Sequence, residues 1–305
     1  MKLVSYQSFG QARFGAVIGA GIVDMARASA ALAATDAAIR PLPATIEPFL
    51  AQTDVLDASA RAVVTAAEAG ALDLYCLPLD GTVLLPPVPR PTKIICVARN
   101  YAEHAREAGL QISDIPILFP RFANTQIGQG APIVVPAVSH QLDWEGELAV
   151  VLGRGSHGRR IGKAEAMDLV YGYTIFNDVS VRDYQFRVTQ YTGGKNFRHS
   201  GPCGPYLVTK DEIADPHKVQ IVTRINGVLK QSANTDTMIF DIPTILEHIA
   251  DFIDLEAGDL IPTGTPAGVG FKRNPPEFLK DGDVIEVEVT GLGILRNPVV
   301  NEAVI

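Results

Sequence analysis

The sequence predicts an α+β protein that is predominantly β, with a smaller α+β unit at its N-terminal end. Three observations carry that prediction. Short β-like apolar runs recur through the second two thirds of the chain, separated by glycine and proline. Only a few stretches carry helical spacing, and they do not alternate regularly with the strands as a doubly wound sheet requires. The segment Leu84–Lys93, LLPPVPRPTK, holds four prolines and reads as an extended connector. The expected division is therefore a small domain over residues 1–88 and a larger one over residues 89–305.

Taken in order, KLVSYQS and RFGAVIGAGIVDM read as a strand pair joined by a glycine-containing turn. Thr45–Gly70 is alanine-rich with helical spacing. Beyond the connector, KIICVA, PILFPRF, ELAVVLG, VYGYTIFND, VQIVTRING, DVIEVEVTG and GILRNPVV are candidate strands. Helices are expected over Tyr101–Ala108, Lys163–Asp168, Val179–Val188 and Pro243–Asp251.

Bulk properties narrow the function classes. With 305 residues, 47% hydrophobic and 20% charged, the chain can bury a large core. Its net charge of −8 and the lack of any lysine–arginine cluster argue against nucleic acid or an anionic membrane as partner. Cys76, Cys96 and Cys203 lack metal-ligand spacing and leave one cysteine over, which fits a reduced cytoplasm. The start of the chain breaks its apolar run too early for a signal peptide, and no run reaches the roughly eighteen residues of a spanning helix.

Several motifs are set aside. VIGAGIVD (Val17–Asp24) has Asp24 where a dinucleotide fingerprint needs its third glycine, so a hairpin is the better reading. GTPAGVG (Gly264–Gly270) lacks the Lys-Ser/Thr ending of a phosphate loop, although glycines there would let backbone line a ligand site. G-x-S-x-G and H-E-x-x-H are both missing, so neither a serine-hydrolase elbow nor a zinc-peptidase helix is supported.

QLDWEGELAVVLG (Gln141–Gly153) places Asp143, Glu145 and Glu147 at every second position before an apolar run. In a strand, Glu145 and Glu147 share one face about 6 to 7 Å apart. Such a pair is either the wet face of an edge strand or a holder of positive charge. Asp178, at the end of VYGYTIFND, is either a helix cap or a third carboxylate at a strand end. Three acids without His or Cys suit Mg²⁺ or Mn²⁺ better than zinc. In VARNYAEHAREAG, His104 and Glu107 share a helix face, as a surface ion pair or as an oriented general base. Lys195, after two glycines in GGKNFRHSGPCGP, either clamps a carboxylate or enolate oxygen or faces water.

Together these blocks resemble the fumarylacetoacetate hydrolase superfamily. KIICVARNYAEHAREAG, PILFPRFANTQIGQGAPIVVP, DWEGELAVVLG, GYTIFNDVSVRDYQ, GGKNFRHSGPCGP and LIPTGTPAGVG follow the family's order and spacing from about Thr92 onward. The resemblance implies a mixed β-sandwich roll, with Glu145, Glu147 and Asp178 holding Mg²⁺ or Mn²⁺, sometimes Ca²⁺. It implies His104 and Glu107 as a water-activating dyad and Lys195 as the family lysine. Gln185 and Thr265 match substrate-site positions, and Arg182, Tyr101 and Arg121 are assigned to substrate binding with them. Asp143 is not a usual ligand. Arg121 stands where lysine is frequent, and Phe197 is followed by Arg198-His199 instead of an acidic or small residue, which points to a particular acidic substrate. The family likeness also implies a homodimer.

The implied chemistry is metal-assisted cleavage of a C–C bond in a β-diketo acid of acylpyruvate, maleylpyruvate or fumarylpyruvate type. The same platform without attacking water gives 2-hydroxymuconate isomerisation or decarboxylation, oxaloacetate decarboxylation, or keto–enol isomerisation. A non-catalytic protein that binds 2-oxo acids is the remaining alternative.

Overall fold

A computed structural model describes residues 1–103 and 113–303. Its architecture is α+β, built around a large mixed sheet of eleven strands and a second sheet of five. The expected His104 and Glu107, and most of the helix proposed from Tyr101, lie outside the described residues.

The large sheet is centred on Gly146–Leu152, which pairs antiparallel with Val170–Asn177 on one side and Leu260–Pro262 on the other. Every residue of GELAVVL is buried. Ala149 and Val151 enter one core, shared with Phe14, Phe49 and Val63 of the N-terminal region. Leu148, Val150 and Leu152 face the opposite core, shared with Ile221, Val287 and Leu295 of the second sheet. A continuous apolar run suits a strand buried on both faces. The wet-edge reading of this segment is therefore excluded. At Gly146 an added Cβ would fall 2.4 Å from Thr223 Oγ1 and 2.9 Å from Val287 Cγ1, so the two sheets meet here only because no side chain intervenes.

The N-terminal strands Lys2–Ser8, Gln11–Ile18 and Gly21–Asp24 continue the large sheet, because Lys2 and Leu3 pair with Val208 and Leu207. Helices Met25–Ala33 and Thr53–Glu68 cover that region. On the other core lie Lys163–Leu169 and Ile242–Ala250. The latter starts where Asp241 accepts the Thr244 amide at 2.9 Å, a cap worth about 1 kcal/mol.

Two expectations need correction. The helix expected over Val179–Val188 is only Arg182–Gln185, because Ser180–Val181 forms a short antiparallel pairing with Leu142–Asp143. Gly201–Thr209, which is not among the expected strands, is a nine-residue strand of the large sheet. Among the described residues no helix is long and apolar enough to cross a membrane.

Candidate active site

Strand register brings the acids together. Gly146 lies opposite Asn177 in the antiparallel pair, so Glu145, just before one strand, and Asp178, just after the other, become neighbours. The Asp178 amide donates to the Glu145 carbonyl at 2.8 Å, and the Glu145 amide donates to Asn177 Oδ1 at 3.0 Å. Glu147, one pleat further along, projects to the same side. Ligand atoms of Glu145, Glu147 and Asp178 all lie within 4.8 Å of one another, and all three residues are buried. Asp178 does not cap the following helix; that position falls to Val181.

Cations surround the cluster. Lys195 Nζ lies 2.7 Å from Glu145 Oε2 and 2.6 Å from Asp178 Oδ2. It sits on the short helix Thr192–Lys195, which packs on Arg182–Gln185 because Gly194 carries no Cβ; one there would lie 2.4 Å from Gln185 Cβ. Arg182 places Nη1 2.7 Å from Glu145 Oε1 and 2.8 Å from Gln185 Oε1, and Nε 2.8 Å from Asp143 Oδ2. Arg121 bonds Asp178 Oδ1 and, at 2.6 Å, Ser200 Oγ. Its guanidinium is a counter-charge for Asp178, and it is not among the residues that line the cavity. Arg198 and His199 are exposed and are not among the residues that line the cavity.

Asp143 is fully buried and structural in its contacts. Its carboxylate accepts from the amides of Trp144, Gly270 and Phe271 at 2.8, 2.7 and 3.0 Å, besides Arg182. Thr265 donates to the Gly146 carbonyl at 3.0 Å and receives Gln231 Nε2 at 2.9 Å. Gln231 in turn accepts the Gly146 amide at 3.0 Å. Nothing in the sequence pointed to Gln231, since it comes from the other sheet. Tyr101 is buried near Glu147, and burial together with that charge pushes its hydroxyl pKa far up.

The site opens on a cavity of about 60 Å³. Val97, Phe119, Tyr191 and Phe271 form its apolar walls, while Glu145, Gln185, Lys195 and Thr265 supply polar groups. Arg182 and Arg99 also line it, and Arg99 escaped the sequence reading.

The residues fit a hard divalent cation. Among the described residues around the triad, four buried carboxylates face three buried cations. Among the described residues Glu147 forms no ion pair, and its carboxyl is pushed well above its ordinary 4.5 by burial, then by Asp178 and Glu145. Among the described residues the buried Tyr101 hydroxyl has no hydrogen-bond partner. A cation held by the triad would relieve the repulsion, and the all-oxygen donor set suits Mg²⁺ or Mn²⁺.

Fold and site together define a class: a mixed β-sandwich with a buried cluster of three carboxylates, able to hold a cation, where two core strands end. Residues 93–300 match the family described as fumarylacetoacetate (FAA) hydrolase C-terminal, and the chain belongs to that family of enzymes. A mitochondrial oxaloacetate tautomerase of Bos taurus is 42% identical over 262 residues, covering 85% of this chain and 81% of the relative. Among solved structures, a fumarylacetoacetate hydrolase from psychrophilic Exiguobacterium antarcticum superposes with a TM-score of 0.80 at 34% identity, covering 99% of this chain and 100% of that one. A maleylpyruvate hydrolase from Sphingobium sp. SYK-6 gives 0.77 at 30% identity, with the same coverage.

Proposed function

We propose that the protein is a divalent-metal-dependent tautomerase that interconverts the enol and keto forms of oxaloacetate or a similarly short 2-oxo dicarboxylic acid. The observation that carries this reading is the likeness to the Bos taurus oxaloacetate tautomerase across 85% of the chain. It moves C–C hydrolysis, the first expectation from sequence, to second place.

Mg²⁺ or Mn²⁺, bound by Glu145, Glu147 and Asp178, supplies Lewis acidity toward the 1-carboxylate and 2-oxo oxygens of such a substrate. Lys195 serves as a fixed donor. Burial works against its charge, but Asp178 and Glu145 outweigh burial and hold its pKa above the ordinary 10.5. It therefore stays an ammonium near neutral pH and is unsuited to be the base. Arg182 is held charged in the same way, with Asp143 and Glu145 outweighing burial. Gln185 spends its carbonyl oxygen on Arg182, which leaves its amide group for the substrate. Val97, Phe119 and Phe271 give the cavity an apolar wall on one part of its lining. His104 and Glu107, expected from sequence as a water-activating dyad, take the proton transfer at C3 in this reading. A homodimer is part of the same proposal and is tested by light scattering.

The hydrolase reading keeps one supporting observation, the likeness to maleylpyruvate hydrolase. A substrate panel separates the two. Enol-oxaloacetate, 2-hydroxymuconate, an acylpyruvate and maleylpyruvate are assayed with Mg²⁺, with Mn²⁺ and after chelation. The expected result is metal-dependent ketonisation of oxaloacetate as the fastest reaction; faster cleavage of the acylpyruvate or maleylpyruvate would sink it.

A further inference from the structure

Three cations line the cavity, and two of them are paired with protein carboxylates, although Arg182 Nη2 has no hydrogen-bond partner among the described residues. Lys195 bridges Glu145 and Asp178, and Arg182 is divided among Asp143, Glu145 and Gln185. Arg99 differs. It is half-buried, and among the described residues its guanidinium has no hydrogen bond or ion pair; it lies over the Tyr191 ring, 5.9 Å from the centroid.

The backbone at Arg99 is also unusual. It lies in the left-handed region with φ of 58°, immediately after the strand Ile94–Ala98 ends. Glycine would take this conformation without penalty, whereas a long side chain does so at a cost. The next residue is over-determined: Asn100 Nδ2 donates to the carbonyls of Thr263 at 2.8 Å and Phe240 at 3.0 Å, while Asn100 Oδ1 accepts the Phe240 amide at 2.8 Å. That anchor holds the turn and fixes where Arg99 leaves the backbone. A strained position that carries an unspent cation into a ligand cavity is where a recognition group is expected.

From this we infer that Arg99 is a specificity-determining residue that receives the distal carboxylate of the substrate, the one not chelated at the acidic triad. The inference rests on the proposed reading in that the substrate is taken to be a 2-oxo dicarboxylate. Chelating oxygens face the triad, where Lys195 and Arg182 are held by protein carboxylates. Of the three cations lining the cavity, Arg99 is the one that no described protein carboxylate neutralises, so a second substrate carboxylate falls to it. The guanidinium fork matches a carboxylate with two parallel hydrogen bonds, which gives selectivity for dicarboxylic over monocarboxylic acids.

The test is calorimetric titration of Mn²⁺-loaded full-length protein with (S)-malate and (S)-lactate. Both chelate through a carboxylate and a 2-hydroxyl, but only malate has a distal carboxylate. Asn tolerates the left-handed backbone, so Arg99→Asn removes the charge without adding strain. Wild-type protein should bind malate more tightly than lactate. Arg99→Asn should weaken malate roughly ten- to one-hundredfold and leave lactate within about twofold. Arg99→Lys, which keeps charge but loses the fork, should fall between. Equal weakening of both acids, no weakening of malate, or no malate preference in the wild type would overturn the assignment. Failure of the tautomerase reading looks different: no ketonisation of oxaloacetate, yet malate preference present in the wild type and lost in Arg99→Asn.

Discussion

Asp143 Oδ2 accepts from Arg182 Nε at 2.8 Å, with both side chains buried. The same carboxylate holds the amides of Gly270 and Phe271, so one acid ties the loop after the last central strand to the arginine that grips Glu145. The first acid of the D-x-E-x-E run thus frames the site without being one of the clustered ligands.

Replacing Asp143 by Ala leaves a buried guanidinium without part of its counter-charge and three amides without an acceptor. Stability should fall by about 3–5 kcal/mol in urea titrations. Asp143→Asn, which keeps an acceptor, should lose less.

Lys195 neutralises two of the three clustered acids. Lys195→Met should therefore bind Mn²⁺ more tightly in calorimetry while turnover drops on the order of a hundredfold, because a donor to the developing oxyanion is gone. Weaker Mn²⁺ binding by this variant would contradict the electrostatic account.

The raised Glu147 carboxyl gives a pH dependence with a definite sign. The folded protein binds this proton more tightly than the unfolded chain does. The resulting stability is full below the ordinary carboxylate pKa and is lost as pH rises toward the folded value. Metal-free protein should accordingly lose stability as pH climbs above about 4.5, apart from other titrations. Mn²⁺ needs the ionised carboxylate, so the rise in Tm on adding Mn²⁺ should be larger at alkaline than at mildly acidic pH. A pH-independent rise would remove Glu147 from the ligand set.

Burial separates the thiols. Cys203 is pushed up to about 12 by burial, and Cys96 is raised by burial and by the nearby Asp178 and Glu147. Cys76 is exposed. Maleimide at neutral pH should label Cys76 quickly and the other two only after denaturation.

Much of this was legible in the sequence because local pattern and tertiary role coincide. The apolar run after Glu145 reads as a buried strand and is one; the helix near Pro243 declares itself through Asp241 and its apolar spacing. The Gly201–Thr209 strand was hidden by its prolines, because pairing with Val170–Asn177 and Lys2–Ser8 overrides local propensity. Arg121 could not be placed from sequence, since its direction is set by Asp178 and Ser200, 57 and 79 residues away. Gln231 and Arg99 carry no motif of their own; only the meeting of two sheets and the end of a strand give them their positions.

The central claim is metal-dependent tautomerisation at the Glu145–Glu147–Asp178 centre. It is tested most directly by following enol-oxaloacetate by ultraviolet absorbance, with pyruvate release measured in parallel, for wild type and Glu147→Gln with and without Mn²⁺. The account predicts that wild-type protein with Mn²⁺ accelerates loss of the enol while pyruvate appears only at the background rate. Chelation or Glu147→Gln should abolish that acceleration. Acceleration that survives both, or pyruvate release that keeps pace with enol loss, would contradict it.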